Sequence, residues 1–152
     1  MLLDVPELNF PEYTFQFIQD EKGTKIFDSI RKQYVSLTPE EWVRQHLIRY
    51  LVTEARVPQG LIAVEKGLKV NGLMQRTDIL VYDRSGDPWL VAECKAPSVT
   101  QISEAAYQAS RYCLTLNTPF ILVTNGIKHG CYQRQGDSYK PIKEFPSFRN
   151  DR

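Results

Sequence analysis

Apolar residues recur along this chain with two different periods. From Pro39 to about Arg56, Val43, Leu47, Ile48, Tyr50, Leu51 and Ala55 fall on one broad face at about 100° per residue, which predicts an amphipathic helix. Its start is written in Thr38-Pro39-Glu40-Glu41: a capping threonine, a proline at the first helical position, and a glutamate three residues past the cap. Pro58-Gln59-Gly60 stops it. Glu41 and Arg44 project from the same apolar side near the first turn, while His46 lies off it and reads as a surface residue. The period then changes to that of strands. Leu61 to Val70 ends at Asn71-Gly72, Met74 to Tyr82 ends at Asp83–Asp87, and Pro88 to Lys95 leads into Ala96-Pro97-Ser98. These are three antiparallel strands joined by tight turns.

A second helix is expected from about Thr100 to Leu116, with Ala105, Ala106, Ala109, Cys113 and Leu116 as its narrow apolar face. The apolar run Phe120–Thr124 reads as a strand buried in the centre of a sheet, Asn125-Gly126 closes it, and Lys128 to Arg134 forms a last strand. Upstream, Tyr13 to Phe27 reads as strand, turn, strand, an accessory hairpin; after Gly136 the chain is polar and reads as a loose or packing tail. The order predicts an α/β fold with an αβββαβ core, a mixed central sheet flanked by helices. The expected organisation is one domain over residues 1–152, with an accessory segment 1–37, a core 38–135 and a tail 136–152.

Composition narrows the classes. A chain of 152 residues that is 42% hydrophobic can bury a core. No apolar run approaches the roughly 18 residues that span a bilayer, and the N-terminus lacks a signal peptide's charged start and apolar stretch, so a cytoplasmic protein without a membrane partner is expected. Cys94, Cys113 and Cys131 have no paired spacing and read as free thiols. Nineteen basic against 18 acidic residues leave a net charge of +1, with no basic run longer than two. A DNA binder of this composition must gather its cations through the fold, or borrow grip from a partner, because non-specific affinity rests on phosphate neutralisation.

The candidate chemistry sits at the ends of two strands. In Trp89-Leu90-Val91-Ala92-Glu93-Cys94-Lys95, alternation puts Glu93 and Lys95 on one face and Cys94 on the other. On the preceding strand Asp78 is a lone acid in an apolar run, and the intervening turn brings it beside Glu93. Two carboxylates and a backbone carbonyl such as that of Cys94 make an oxygen-rich site suited to magnesium, with Lys95 placed to orient water and offset phosphate charge. The plain alternative is a surface ion pair with Asp78 as a strand-end cap. Gln108 and Tyr112, one turn apart on the second helix, sit where they can hold phosphate or position Lys95. Glu41 is either a third carboxylate for the metal or a capping-box glutamate. Arg44 and Gln45 on that helix, with Arg76 and Arg111 flanking the acids, are candidates for DNA contacts.

Asp78, then Glu93-x-Lys95, then Gln108-x-x-x-Tyr112 resembles the PD-(D/E)XK nucleases, and in detail the N-terminal nuclease domain of type I restriction enzyme R subunits and RecB-like nucleases. Arg76-Thr77-Asp78, Glu93-Cys94-Lys95-Ala96-Pro97 and Thr124-Asn125-Gly126 share in the likeness, which covers roughly residues 24 to 135. Thr77 stands where the wider superfamily has proline. The resemblance implies a restriction-endonuclease-like core, Mg2+ or Mn2+ as cofactor, and endonucleolytic rather than exonucleolytic cleavage of DNA, with restriction or repair subunits and self-association left open as partners. No Gly-x-x-x-x-Gly-Lys-Ser/Thr loop is present, so no ATP site is expected in this chain. The alternative reading keeps the fold without turnover, as a silent module that binds DNA or a restriction partner.

Overall fold

The computed structural model describes residues 5–148. Helix α1 spans Pro39–Thr53, and its start follows the sequence signal: the Thr38 hydroxyl accepts the Glu41 N–H at 3.0 Å. The central sheet has six strands, β4 (Ile62–Val70), β5 (Leu73–Tyr82), β6 (Pro88–Cys94), β7 (Phe120–Thr124), β8 (His129–Gln135) and β9 (Ser138–Ile142), in that spatial order. Only β6 and β7 run parallel, joined by a crossover through helix α2 (Ile102–Leu116). The sheet is therefore mixed, as expected.

A layer of side chains lies on each side of the sheet. Val43, Leu47, Ile48 and Leu51 of α1 pack with Ile79, Val81, Leu90, Ala92 and Leu122. Ala106, Ala109 and Cys113 of α2 pack with Leu80, Val91, Ile121 and Val123 on the other side. Leu90, Val91 and Ala92 are all fully buried because β6 is covered on both faces. Each large aliphatic side chain so enclosed contributes about 1.5–3 kcal/mol. The three cysteines are free thiols, as the spacing suggested.

Three expectations change. The N-terminal hairpin is a three-stranded antiparallel sheet, β1 (Phe17–Asp20), β2 (Gly23–Asp28) and β3 (Gln33–Ser36). The last strand has four residues, too few for a period to show, and Asp28 turns the chain into it by accepting the Ile30 and Arg31 N–H groups at 2.7 and 2.9 Å. As far as Phe148 the tail packs, and it adds a strand: β9 closes the sheet edge, and the Phe148 ring lies 5.1 Å from that of Trp89. His46 is buried, not exposed, and burial pushes its pKa down. Phe10, Tyr13 and Phe15 of the N-terminal segment wrap that flank of α1, which gives the helix a second covered face that one amphipathic stripe cannot foretell.

The sheet also forks. β5 pairs with β6 only from Ile79↔Ala92 to Tyr82↔Pro88, whereas β4 stays paired with β5 as far as Val70↔Leu73. Asp78 and Glu93 stand where β5 and β6 part.

Candidate active site

At the fork a side chain takes over from strand pairing. The Cys94 N–H, which has no β5 carbonyl opposite it, donates to Asp78 Oδ2 at 2.7 Å. On the next residue back, Glu93 Oε1 accepts the Tyr112 hydroxyl of α2 at 2.7 Å. The two carboxyls are neighbours at the fork; burial first, and then the Asp78 charge, push the Glu93 carboxyl up to about 7. Burial and the facing Glu93 push the Tyr112 hydroxyl well above its ordinary value, so it stays a donor.

Lys95 follows Glu93, and its backbone is fixed by a 2.8 Å bond from its N–H to the Thr124 carbonyl. The Thr124-Asn125-Gly126 turn braces the loop beyond it. Asn125 donates to the Val99 carbonyl at 2.7 Å and accepts the Ile127 and Lys128 N–H groups at 2.9 and 2.7 Å. Gly126 is required there: its φ is +89°, and a Cβ would lie 2.7 Å from Leu8 and 3.0 Å from Val43. Glu93 and Lys95 form the floor of an open cleft of about 550 Å³, walled by the β4–β5 hairpin on one side and by Gln108, Arg111 and Tyr112 of α2 on the other. Arg76 lies along the hairpin wall. Asp78, Glu93, Lys95, Gln108, Tyr112, Arg76 and Arg111 are thus gathered at one place.

The residues of α1 are arranged differently from the expectation. Glu41 is buried, but its carboxylate is bound by Arg31 at 2.9 Å and by the Gln45 amide at 2.9 Å, so it neither closes a capping box nor reaches the fork. Gln45 is 2% exposed and its amide is shared between Asp28 and Glu41, which corrects the expected DNA contact: it holds the acid network together. Arg44 is also buried. It lies between Glu65 Oε1 at 3.1 Å, Glu41 at 3.7 Å and Asp78 Oδ1 at 3.9 Å, and so acts as a counterion to the fork instead of an open phosphate contact. Burial alone would lower its pKa, yet the surrounding carboxylates, Glu41 and Asp78 foremost, hold it above the ordinary arginine value. Its Nε is buried without a hydrogen-bond partner.

Glu40 is the acid that the sequence reading passed over. Burial and then the Asp78 charge raise its pKa, while Arg44 and Lys95 pull it down, which places it in the field of the fork. The signal was available as the i,i+4 pair Glu40–Arg44, whose charged atoms are 3.7 Å apart. Among the described residues no three His, Cys, Asp or Glu side chains converge in metal-ligand geometry. The fork presents two carboxylates, with Glu40 nearby.

A sequence profile of the family described as type I restriction enzyme R protein N terminus (HSDR_N) matches residues 39–146, the stretch from α1 through β9. No curated protein matches the chain. Among solved structures, a fragment assigned as an HsdR subunit of a type I restriction enzyme from Vibrio vulnificus superposes with a TM-score of 0.55 at 20% identity, over 73% of this chain. The match covers 24% of that protein, so this chain spans about a quarter of its length. A protein assigned as a nuclease of the DUF820 group from Anabaena variabilis has a TM-score of 0.48 at 12% identity, over 84% of this chain and 80% of the other. At these identities the likeness to the Vibrio fragment is one of fold.

Proposed function

Because the chain belongs to the family of type I restriction enzyme R protein N termini, we propose that its fork site hydrolyses DNA phosphodiesters with a divalent metal, Mg2+ or Mn2+. The observation that carries this is the pair of adjoining carboxyls, Asp78 fixed by the Cys94 N–H and Glu93 by the Tyr112 hydroxyl, of which Glu93 lines a cleft together with Lys95.

The donor chemistry fits a hard cation. Asp78 and Glu93 supply charged oxygens, the Cys94 carbonyl is a further candidate, and magnesium commonly takes only one or two carboxylates while keeping several waters. The raised Glu93 carboxyl supports this reading, since two neighbouring, half-buried acids repel until a proton or a cation lies between them. A bound metal would supply Lewis acidity and an activated water. This chain's own residues do the rest. Lys95 holds the attacking water and offsets charge growing on the phosphate. Tyr112 keeps the Glu93 carboxylate aimed, and Gln108, Arg76 and Arg111 hold the strand along the cleft walls. Arg44 and Glu40 set the charge around Asp78. We take the cut to be endonucleolytic, and the accessory sheet and core to act as one unit alongside further restriction subunits.

A second reading, a silent nuclease-fold module, draws support from Arg44, whose guanidinium stands 3.9 Å from Asp78 and shares its charge. Calorimetry with Mn2+ and nicking of supercoiled plasmid separate the two. Active protein binds the metal, loses binding in Asp78→Ala, and loses nicking in Lys95→Ala. Absent metal heat, or equal nicking by wild type and Lys95→Ala, removes the enzyme reading.

A further inference from the structure

We propose that the outer half of the β4–β5 hairpin is an arm that enters the major groove of duplex DNA; this rests on the nuclease reading of the fork site and names how its substrate is gripped. Beyond the point where β6 departs, Lys66–Val70 and Leu73–Thr77 are paired only with each other, from Lys66↔Thr77 to Val70↔Leu73. Five residues per strand make a ribbon about 17 Å long. The major groove of B-DNA, about 12 Å wide, admits a two-stranded ribbon of this kind.

Charge and exposure favour a polyanion. From Lys66 to Thr77 the chain holds Lys66, Lys69 and Arg76 and no aspartate or glutamate; Arg76 pairs with Glu65 at the root of the ribbon at 2.7 Å, which leaves Lys66 and Lys69 as the exposed cations of the arm. Lys66 and Lys69 are exposed, and so are Leu73 and Met74 at 68% and 64%. Cross-strand pairing sorts these side chains into two faces. Leu68, Val70, Leu73 and Gln75 share the face toward α2, where Val70, Leu73 and Gln75 line the cleft. Arg76, paired across from Gly67, reaches the cleft rim, while Gly67, Lys69 and Met74 share the opposite face, which is exposed along the ribbon. There the glycine keeps the surface low, since a Cβ on it would meet the Met74 sulfur at 3.0 Å. Exposed apolar side chains on a basic ribbon suit base edges and thymine methyls between two phosphate rows. The ribbon is also rooted at the chemistry: Thr77, its last residue, precedes Asp78. A duplex held by the arm is therefore presented to the fork.

The test measures binding of the whole chain to a short fluorescent duplex by anisotropy, without divalent metal so that no strand is cut. The double variant Lys66→Ala, Lys69→Ala removes two exposed cations and leaves the fork untouched. Its duplex Kd should rise about five- to tenfold, and its salt slope, log K against log salt, should fall by about 2. Methyl green, a major-groove ligand, should displace the wild type, and netropsin, a minor-groove ligand, should not. Unchanged affinity and slope in the double variant, or displacement by netropsin alone, overturns the arm. Plasmid cleavage in Mn2+ is scored in parallel. Cleavage with lysine-independent binding sinks the arm and spares the active site; lysine-dependent binding by a chain that never cuts does the reverse. No duplex binding by wild type at low salt overturns the arm outright.

Discussion

Substituting Glu93 by glutamine should stabilise this protein above neutral pH while destroying the function proposed for it. In the fold, burial and Asp78 push the Glu93 carboxyl from the ordinary 4.5 up to about 7, a penalty of roughly 2–3 kcal/mol on its ionised form for a carboxyl that keeps some contact with solvent. The sign follows from proton counting. Below about pH 4.5 the carboxyl is protonated in both folded and unfolded chains and costs nothing. Between 4.5 and 7 the unfolded chain releases the proton and the folded one keeps it, so stability falls as pH rises; above 7 the full deficit remains. Glutamine keeps the acceptor for the Tyr112 hydroxyl and carries no charge. Denaturant unfolding at pH 4, 6 and 8 without metal should therefore show Glu93→Gln gaining on wild type with rising pH, by roughly 2–3 kcal/mol at pH 8, or about 5–10 °C in Tm for a chain of this size. Saturating Mn2+ should raise wild type and leave the variant where it was. A gap of the same size at pH 4 and pH 8, or a variant that loses ground as pH rises, would refute the reading of the fork as two acids in want of a cation.

Other consequences can be checked on the same material. Tyr112→Phe deletes the hydrogen bond that lowers the Glu93 pKa, so the acid limb of the plasmid-nicking profile should move to higher pH; an unmoved limb would separate Tyr112 from Glu93 ionisation. Arg31→Met strips a guanidinium from Asp28, Glu41 and Glu65 and should cost about 3–5 kcal/mol by urea unfolding, with part recovered when Asp28→Asn is added. No recovery would mean that Arg31 acts through packing and not charge. Gly126→Ala combines a left-handed φ of +89° with a Cβ 2.7 Å from Leu8, and should cost about 2–4 kcal/mol and loosen the loop after Lys95. A neutral result would show that this turn can relax without loss.

The core was legible because it is written in local periods. The α1 start, the three strands and the buried β7 each announce themselves through a few adjacent residues, and Asp78, Glu93 and Lys95 are conspicuous because two strands place acids where apolar residues belong. What escaped depends on contacts distant in sequence. Nothing near His46 says that Phe10 and Phe15 will cover it, and nothing near Glu41 says that Arg31 will take its carboxylate before it can reach the fork. Glu40 and Glu41 differ by one helical step. That step decides which of them feels Asp78, and only the setting of α1 against the sheet fixes it.

Arg31 lies between the two sheets, in the turn that joins β2 to β3, eight residues before the stretch that matches the family begins. Its guanidinium meets Asp28 at 2.6 Å and Glu41 and Glu65 at 2.9 Å, and the same Glu41 and Glu65 flank Arg44. An excised fragment starting at Pro39 would lose one of the two guanidiniums shared by Glu41 and Glu65, leaving Gln45 and Arg76 beside Arg44 to answer them, and so draw Arg44 off Asp78. The small N-terminal sheet is in this sense a remote adjuster of Asp78, and trimming it should retune the fork while the helices and strands around it stay in place.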